Sequence, residues 1–222
     1  ISSFRGYTVD GIFNSQAELD ALDMNGKTIG GLRFKDLNGD KKINDADLGI
    51  IGSPHPDLVA GLNLGVDYKN WNVNAFINGS FGNEIFNYVK IFTHFRQFFS
   101  NVDREYYLNN GKNGTPKLNA SDAGSRQAST YYVEDGSYVR LGQLQIGYNL
   151  PKATAKKFGM SNLKLYVQGQ NLFTITKYSG LDPALSNANI GDGRNLNDIW
   201  MGFDIGQYPS NKLVSFGVQV DF

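Results

Sequence analysis

The chain has 222 residues, with 21 basic and 21 acidic side chains, two histidines and no cysteine. Because there is no basic surplus to neutralise phosphates, the composition argues against a nucleic-acid partner. The absence of cysteine excludes disulfides, thiolate metal ligands and a cysteine nucleophile. No run of about 18 apolar residues occurs, so the sequence predicts no transmembrane helix.

Apolar and polar residues alternate with a period of two along six stretches, which is typical of β-strands with one apolar face. In the last stretch, Val214, Phe216 and Val218 fall on one face, whereas serine, glycine and glutamine fall on the other. The predicted strands lie near 4–13, 59–68, 71–81, 138–150, 162–173 and 213–222. Each predicted strand is about ten residues long, which is the length of a tilted strand that crosses a bilayer. A typical strand of a soluble protein is shorter, with about five or six residues.

The connections between these strands alternate between short and long. Lys69-Asn70 forms a tight hairpin turn, and residues 151–161 form another short link. The remaining connections, 14–58, 82–137 and 174–212, are longer than the loops of compact soluble domains. Outer-membrane barrels have this asymmetry, with short periplasmic turns and long outer loops. We therefore expect an all-β, antiparallel transmembrane β-barrel whose three long loops are extracellular.

Six strands are too few to close a membrane barrel, because the smallest bacterial barrels have about eight. Open sheet edges in lipid would leave backbone groups without hydrogen-bond partners. We therefore expect residues 1–222 to be the carboxy-terminal portion of a larger barrel that other strands complete. The aromatic final residue, Phe222, resembles the end signal of bacterial outer-membrane barrels.

Residues 36–47 carry oxygen ligands with the spacing of a calcium-binding loop. The candidate ligands are Asp36, Asn38, Asp40, Lys42 (through its backbone carbonyl), Asn44 and Asp47. Two positions depart from the standard loop, because Lys41 replaces the usual glycine and Asp47 is shorter than the usual glutamate. The alternative is an Asp/Asn-rich turn without metal, held by bonds from side chain to backbone. A calcium ion here would be structural, because the motif brings no nucleophile or base.

The rest of the chain offers no catalytic constellation. Glu134 and Asp135 are adjacent, and neighbours in an extended segment point in opposite directions, so they cannot flank one scissile bond. A helical pattern over 84–108 predicts a helix in the middle long loop. Such a helix could pack on a partner protein or line the substrate cavity. Alternatively, it packs on its own barrel. The sequence predicts no enzymatic activity and identifies no substrate-binding residue.

Several segments, spread in order over nearly the whole chain, match one known family. They are Gly31 to Asp40, Ile50 to Pro54, Gly61 to Gly65, Tyr132 to Leu141, Gln145 to Pro151, Gly169 to Thr174, Tyr178 to Pro183 and Gly217 to Phe222. In these segments the chain resembles the SusC/RagA family of TonB-dependent outer-membrane transporters. The main departure is Lys41, where the family more often has glycine.

The resemblance implies a 22-stranded barrel filled by an amino-terminal plug. Such a barrel imports a nutrient, a glycan or in some members a peptide, with energy passed on through TonB. A surface lipoprotein of the SusD type covers its extracellular loops. The resemblance places the protein in the outer membrane of a Gram-negative bacterium, with Bacteroidota implied. The chain would supply about the last six strands, 17 to 22, without the plug or the TonB-contacting segment.

Two other classes of protein remain open at the level of the residues. The first is a calcium-dependent soluble β-sandwich that binds carbohydrate, because strands packed on a soluble core alternate in the same way. The second is a passive porin or adhesin barrel, which has the same strand pattern without energy coupling.

Overall fold

The computed structural model describes residues 3–95, 102–112, 114–119, 121–185 and 200–221. In chain order its strands and helices are β1 (Phe4–Gly6), β2 (Val9–Ile12), α1 (Gln16–Ala21), β3 (Leu32–Phe34), β4 (Gly49–Gly52), β5 (Leu58–Tyr68), β6 (Trp71–Phe81), β7 (Glu84–Asn87), α2 (Val89–His94), α3 (Arg104–Leu108), β8 (Val133–Asp135), β9 (Tyr138–Asn149), α4 (Lys152–Lys157), β10 (Asn162–Thr176), β11 (Phe203–Asp204) and β12 (Leu213–Asp221). None of the described helices is long and apolar enough to span a membrane.

The largest element is a five-stranded antiparallel sheet in the order β5-β6-β9-β10-β12. Tyr68 pairs with Trp71, so the hairpin between β5 and β6 contains only Lys69 and Asn70. Lys69 has a φ of 54°, the left-handed conformation that tight hairpins demand. The five strands lie within three residues of the last five predicted ranges. Phe222 lies outside the described residues.

The register gives this sheet one apolar and one polar face. Two neighbouring rows of apolar side chains cross all five strands: Val66, Val73, Ile146, Val167 and Phe216, and then Tyr68, Trp71, Tyr148, Leu165 and Val218. Most of these side chains are exposed, and Phe216 is 81% exposed. The other face carries amides, among them the paired Asn74, Gln145 and Gln168. We call these the apolar face and the polar face of the sheet.

A bulge in β9 changes the phase of the alternation. Phe76 of β6 pairs with Gln143 and Ile77 pairs with Leu141, so Gly142 is an extra residue. The inserted residue shifts every position before it to the opposite face. Without the bulge Leu141 would join the polar face and Arg140 the apolar face. The bulge thus keeps Leu141 apolar-facing and turns Arg140 toward polar partners.

The structure differs from the single long strand expected over 4–13. This segment forms two short strands, and β1 pairs with β4 whereas β2 pairs with β3 in a separate sheet. The reason is close packing: Tyr7 N donates to the carbonyl of Ala128 at 2.8 Å, and a Cβ at Gly6 would lie 2.4 Å from that oxygen. Phe4 and Phe13 are 2% and 0% exposed, because they fill interior clusters.

Within the described residues, the first two long connections form folded segments with their own cores. One cluster contains Phe4, Ile51, Phe86, Ile91, Phe95 and Tyr132. A second contains Tyr7, Phe13, Leu19, Met24, Leu32 and Phe34. Of the helix expected over 84–108, the structure describes α2 and α3, with strand β7 before them; residues 96–101 lie outside the described ranges. These cores hold the loop segments that carry the polar groups described below.

Candidate functional site

The predicted calcium ligands lie in a turn that their side chains hold together. The carboxylate of Asp36 accepts from Gly39 N at 2.7 Å and from Lys41 N at 2.8 Å. Bonds from Lys41 N and its neighbours lower the pKa of Asp36. Asp40 accepts from Lys42 N at 2.8 Å and from the amide of Asn38 at 3.1 Å. The structure therefore brings Asp36, Asn38 and Asp40 into one exposed turn.

The end of the same segment is buried and differently bonded. Asp47 is 0% exposed, and its two oxygens accept from Leu37 N at 2.8 Å and Asn44 N at 3.0 Å. The side chain of Asn44 accepts from Ala46 N at 2.9 Å. Lys41 has a φ of 62°, so it takes the left-handed conformation for which the standard loop uses glycine.

The predicted ligands are of the type that calcium binds, but their carboxylates do not form one group in the structure. All the donors are oxygens, the class that calcium prefers, and a carboxylate that accepts one or two N–H groups keeps further lone pairs. Within the described ranges, however, no three Asp, Glu or His side chains are grouped closely enough to hold a metal. Calcium binding by residues 36–47 stays a prediction.

A largely buried carboxylate, Glu134, joins three segments of the loop region. Lys90 of α2 lies 2.7 Å from Glu134 Oε1, and both side chains are less than a fifth exposed. The amide nitrogen of Asn87 donates to the same oxygen at 3.0 Å. Ser179 donates to Glu134 through its backbone N and its hydroxyl, each at 2.8 Å. Burial alone would raise the pKa of Glu134, but Lys90 and these bonds lower it.

A second buried pair ties the last long connection to the sheet. The Arg140 guanidinium donates to Asp182 Oδ1, to Thr174 Oγ1 at 2.8 Å and to Ser210 Oγ at 3.1 Å. Asp182 also accepts from Ser210 N at 2.8 Å and from Ala184 N at 2.9 Å. Asp182 and Ser210 lie on either side of residues 186–199, so one arginine holds both flanks of that connection.

A cavity of about 600 Å³ lies beside the Glu134 network, between α2, α3 and the segments around Tyr131, Leu181 and Asp204. His94 in its lining accepts from or donates to the Tyr131 hydroxyl at 2.8 Å, and its ring stacks on Tyr106 with centroids 4.4 Å apart. Burial, with the nearby Lys90 charge, lowers the pKa of His94 to about 4. His94 is therefore neutral at pH 7.

The lowered pKa of His94 predicts that the loop region loses stability in acid. The unfolded chain binds a proton below its ordinary pKa of 6.5 and the folded chain only below about 4, so stability is full above pH 6.5 and falls toward pH 4. We expect a loss of about 2 kcal/mol at pH 5. Hydrogen exchange of residues 89–95, corrected for intrinsic rates, measures it; the His94→Gln variant should not show the change. Equal pH dependence in both proteins would contradict the assignment to His94.

Sequence reasoning singled out none of Lys90, Arg140 and Asp182 for a role, and it considered Glu134 only for catalysis. A signal for Arg140 is present in the sequence, since counting back by twos from Ile146 and Leu144 puts this arginine at an apolar position of the strand. Its partner Asp182 lies 42 residues away, and no local pattern connects the two.

No family model matches the chain, but curated proteins do. The chain is 35% identical over 226 residues to TonB-dependent receptor P3 of Formosa agariphila. This alignment covers 100% of the chain and 22% of the receptor. It is 31% identical to TonB-dependent receptor P26 of the same organism, over 99% of the chain and 22% of the receptor. It is 28% identical to TonB-dependent receptor SusC of Bacteroides thetaiotaomicron, over 98% and 20%. The chain thus spans about a fifth of the length of the relatives it matches.

Solved structures share the fold. A structure of the RagAB peptide transporter superposes with a TM-score of 0.73 at 24% identity, over 99% of the chain and 22% of the solved one. The RagAB peptide importer in its 'closed-closed' state gives a TM-score of 0.72. By name these relatives are receptors and transporters, not enzymes. Over nearly its whole length, the chain is therefore similar to one part of TonB-dependent receptors, SusC among them, and it shares the fold of part of the RagAB transporter.

Proposed function

We propose that the chain is part of the wall and extracellular loops of an outer-membrane importer that takes up a nutrient with energy passed on through TonB. The observation that carries this proposal is the apolar face of the five-stranded sheet. Its rows of valine, leucine, isoleucine and aromatic side chains are exposed rather than packed on a second sheet. Contiguous apolar surface of this extent on a protein marks contact with another protein or with lipid.

The aromatic row supports lipid as that contact. Tyr68, Trp71 and Tyr148 lie beside one another at the end of the sheet that carries the two-residue hairpin. Tyrosine and tryptophan collect at the membrane–water interface, where the ring is buried in lipid and its polar atom stays in water. The hairpin would then lie at the periplasmic side, and the long connections at the extracellular side.

The sheet edges support a larger barrel. Among the described strands, β5 pairs only with β6 and β12 only with β10. In lipid, unpaired edge groups cost several kcal/mol each, so we infer that further strands of the same receptor continue the sheet at both edges. A plug would face the amide-rich polar face.

The energy source, partner and cargo follow from the relatives and are part of the proposal. The relatives are named TonB-dependent receptors, and SusC and RagAB support a SusD-like surface lipoprotein as the partner. RagAB is called a peptide transporter, and the cargo of this receptor is a glycan or a peptide. The organisms of the relatives, Formosa and Bacteroides, support the outer membrane of a Gram-negative bacterium as its location.

Uptake by cells that carry the complete receptor tests the proposal. Deleting the receptor gene should abolish growth on one nutrient class, and deleting tonB should abolish the same growth, because the import consumes energy from the inner membrane. Uptake that survives the loss of TonB would favour a passive porin. Recovery of the chain in the soluble fraction, without detergent, would favour the carbohydrate-binding β-sandwich.

Calcium binding by residues 36–47 is a separate, smaller proposal. Calcium would balance the charge of Asp36, Asp40 and Asp47 and hold this segment of the loop region. In the complete receptor, a chelator should speed proteolytic cleavage between residues 36 and 47, and added calcium should reverse it. Asp40→Asn should weaken the protection by calcium about tenfold, whereas Asp10→Asn, outside the segment, should leave it unchanged. Cleavage that ignores both chelator and calcium would favour the metal-free turn.

A further inference from the structure

The apolar face of the sheet carries a groove of about 590 Å³ near the end with the two-residue hairpin. Phe216 of β12, which is 81% exposed, lines one side of the groove, and Trp71 and Tyr148 line the other with their ring centroids 4.8 Å apart. Leu165 and Val167 of β10, the strand between them, are only 44% and 41% exposed. The volume lies within the roughly 300–1,000 Å³ of ligand pockets. An acyl chain matches this wholly apolar lining.

The helix α4 lies at the end of the same strands. It belongs to the link between β9 and β10, and both ends of this link are bonded to the sheet. Leu150 N donates to the Leu163 carbonyl at 2.8 Å, and Ser161 N donates to the Asp221 carbonyl at 2.8 Å. Ala155 of α4 is 0% exposed, so the helix packs on the rest of the chain. The groove and α4 therefore follow one another along β9 and β10.

The surface of α4 is basic and lacks a counter-charge. Lys152, Lys156 and Lys157 are exposed, and the link 150–161 contains no acidic residue. The ion pairs among the described residues involve none of these three lysines. Phe158, directly after the helix, is 66% exposed. Lysines together with exposed aromatic rings are typical of segments that lie at a membrane surface.

The hairpin adds a fourth cation at the same end of the sheet. The ammonium group of Lys69 lies 5.2 Å from the centroid of the Tyr68 ring, and Tyr68 belongs to the aromatic row of the apolar face. Asp67, the acid nearest in sequence, pairs with Asn72 and lies on the polar face, because neighbours along a strand face opposite sides. The carboxylate of Asp67 therefore does not neutralise the cation on the apolar side.

We propose that the groove and α4 together bind one anionic phospholipid of the inner leaflet, with an acyl chain in the groove and the phosphate at the lysines of α4. The inference rests on the proposed position of the sheet in the outer membrane, with the hairpin at the periplasmic side. The two parts lie in the order that a phospholipid requires, because the apolar groove is nearer the middle of the bilayer than the basic helix. A lysine close to anionic headgroups strengthens binding about fivefold.

A second copy of the receptor matches this surface less well than a lipid does. A two-fold contact centred on the groove would bring the same surface of both copies together. The lysines of the two α4 helices would then face each other, and like charges repel. An anionic headgroup supplies the opposite charge instead.

Photo-crosslinking in the complete receptor tests this site. The receptor is placed in nanodiscs of one part phosphatidylglycerol to four parts phosphatidylcholine, with p-benzoylphenylalanine in place of Phe216 or of Ile175. Ile175 is 66% exposed, pairs with Val139 near the other end of β10, and reports the bulk lipid. Mass spectrometry of the adducts should show phosphatidylglycerol enriched about fivefold or more at 216 over 175.

Lysine variants separate the headgroup contact from a general preference for lipid. Lys152→Gln, Lys156→Gln and Lys157→Gln, introduced together, should lower the enrichment at 216 to the level at 175. Because these lysines are exposed, the fold should stay intact. The matched control is Lys164→Gln. Lys164 lies on the polar face, where its Cε is 2.7 Å from the position of a Cβ at Gly147, so its loss should leave the enrichment unchanged.

Three results would overturn the inference: equal phosphatidylglycerol content at 216 and 175, enrichment that survives the triple change, or protein adducts in place of lipid at 216. If lipid adducts form at both positions without enrichment, only this inference fails. If neither position forms lipid adducts, the sheet is not a membrane wall, and the proposed function fails with it.

Discussion

The substitution Leu144→Arg should lower the free energy of unfolding of the assembled receptor by about 2–4 kcal/mol, the cost of a cation at the middle of the bilayer. Leu144 lies on the apolar face of β9, the central strand of the sheet, paired with Ala75 and Gly169. It is four residues from Tyr148 of the aromatic row, which is about 13 Å along the strand. Half of an apolar band about 25 Å tall is close to that distance, so Leu144 lies near the midplane.

Gln145→Arg is the matched control, because Gln145 is the next residue on the same strand and lies on the polar face opposite Asn74 and Gln168. There the guanidinium meets amides and water, and we expect a change within about 0.5 kcal/mol. Urea unfolding of both variants in lipid bilayers, followed by tryptophan fluorescence, compares the two positions. Equal losses at 144 and 145 would contradict the assignment of the faces.

The substitution Asp182→Ala should destabilise the last long connection by about 3–5 kcal/mol, because it leaves the Arg140 guanidinium buried without its counter-charge. The side chains of Arg140 and Asp182 are only 8% and 10% exposed. The backbone nitrogens of Ser210 and Ala184 would also lose their acceptor. Hydrogen exchange of residues 177–185 and 203–212 should therefore quicken by two orders of magnitude or more.

Two further variants separate the buried charge from the lost contact. The double variant Arg140→Met with Asp182→Leu removes both charges and should recover most of the stability, as apolar replacements of buried ion pairs do. Asp10→Ala removes an exposed partner of Arg33, at 3.5 Å, and should cost no more than about 1 kcal/mol. A double variant as unstable as Asp182→Ala would show that the unpaired charge of Arg140 is not the cause of the lost stability.

The five long strands could be predicted from sequence because each carries its signal locally. A side chain in a strand faces the side opposite to its neighbour, so an exposed apolar face needs a strict alternation over the whole strand. In β12 the residues Val214 to Asp221 keep that alternation without interruption. In β9 the bulge at Gly142 hides the change of phase, because a single glycine does not by itself indicate an inserted residue.

Residues 4–13 show the limit of the same reasoning. Tyr7, Val9 and Phe13 alternate, but this apolar set packs into a local core rather than onto the large sheet. The partners of that core come from Leu19 to Phe34, and pairing between distant segments leaves no trace in a local pattern. The same is true of the cavity, whose lining comes from segments as far apart as residues 87 and 206.

Lipid accessibility of β9 tests most directly whether this sheet is a membrane wall. Because the chain has no cysteine, single cysteines can be placed from 139 to 148 and spin-labelled in the complete receptor, after removal of any cysteines elsewhere. The account predicts oxygen accessibility, the signal of lipid contact, at 139, 141, 144 and 146, with the phase changing across Gly142. At 140, 143 and 145, on the polar face, the label should instead be accessible to the aqueous reagent. Uniform access of the aqueous reagent to both faces would contradict the account.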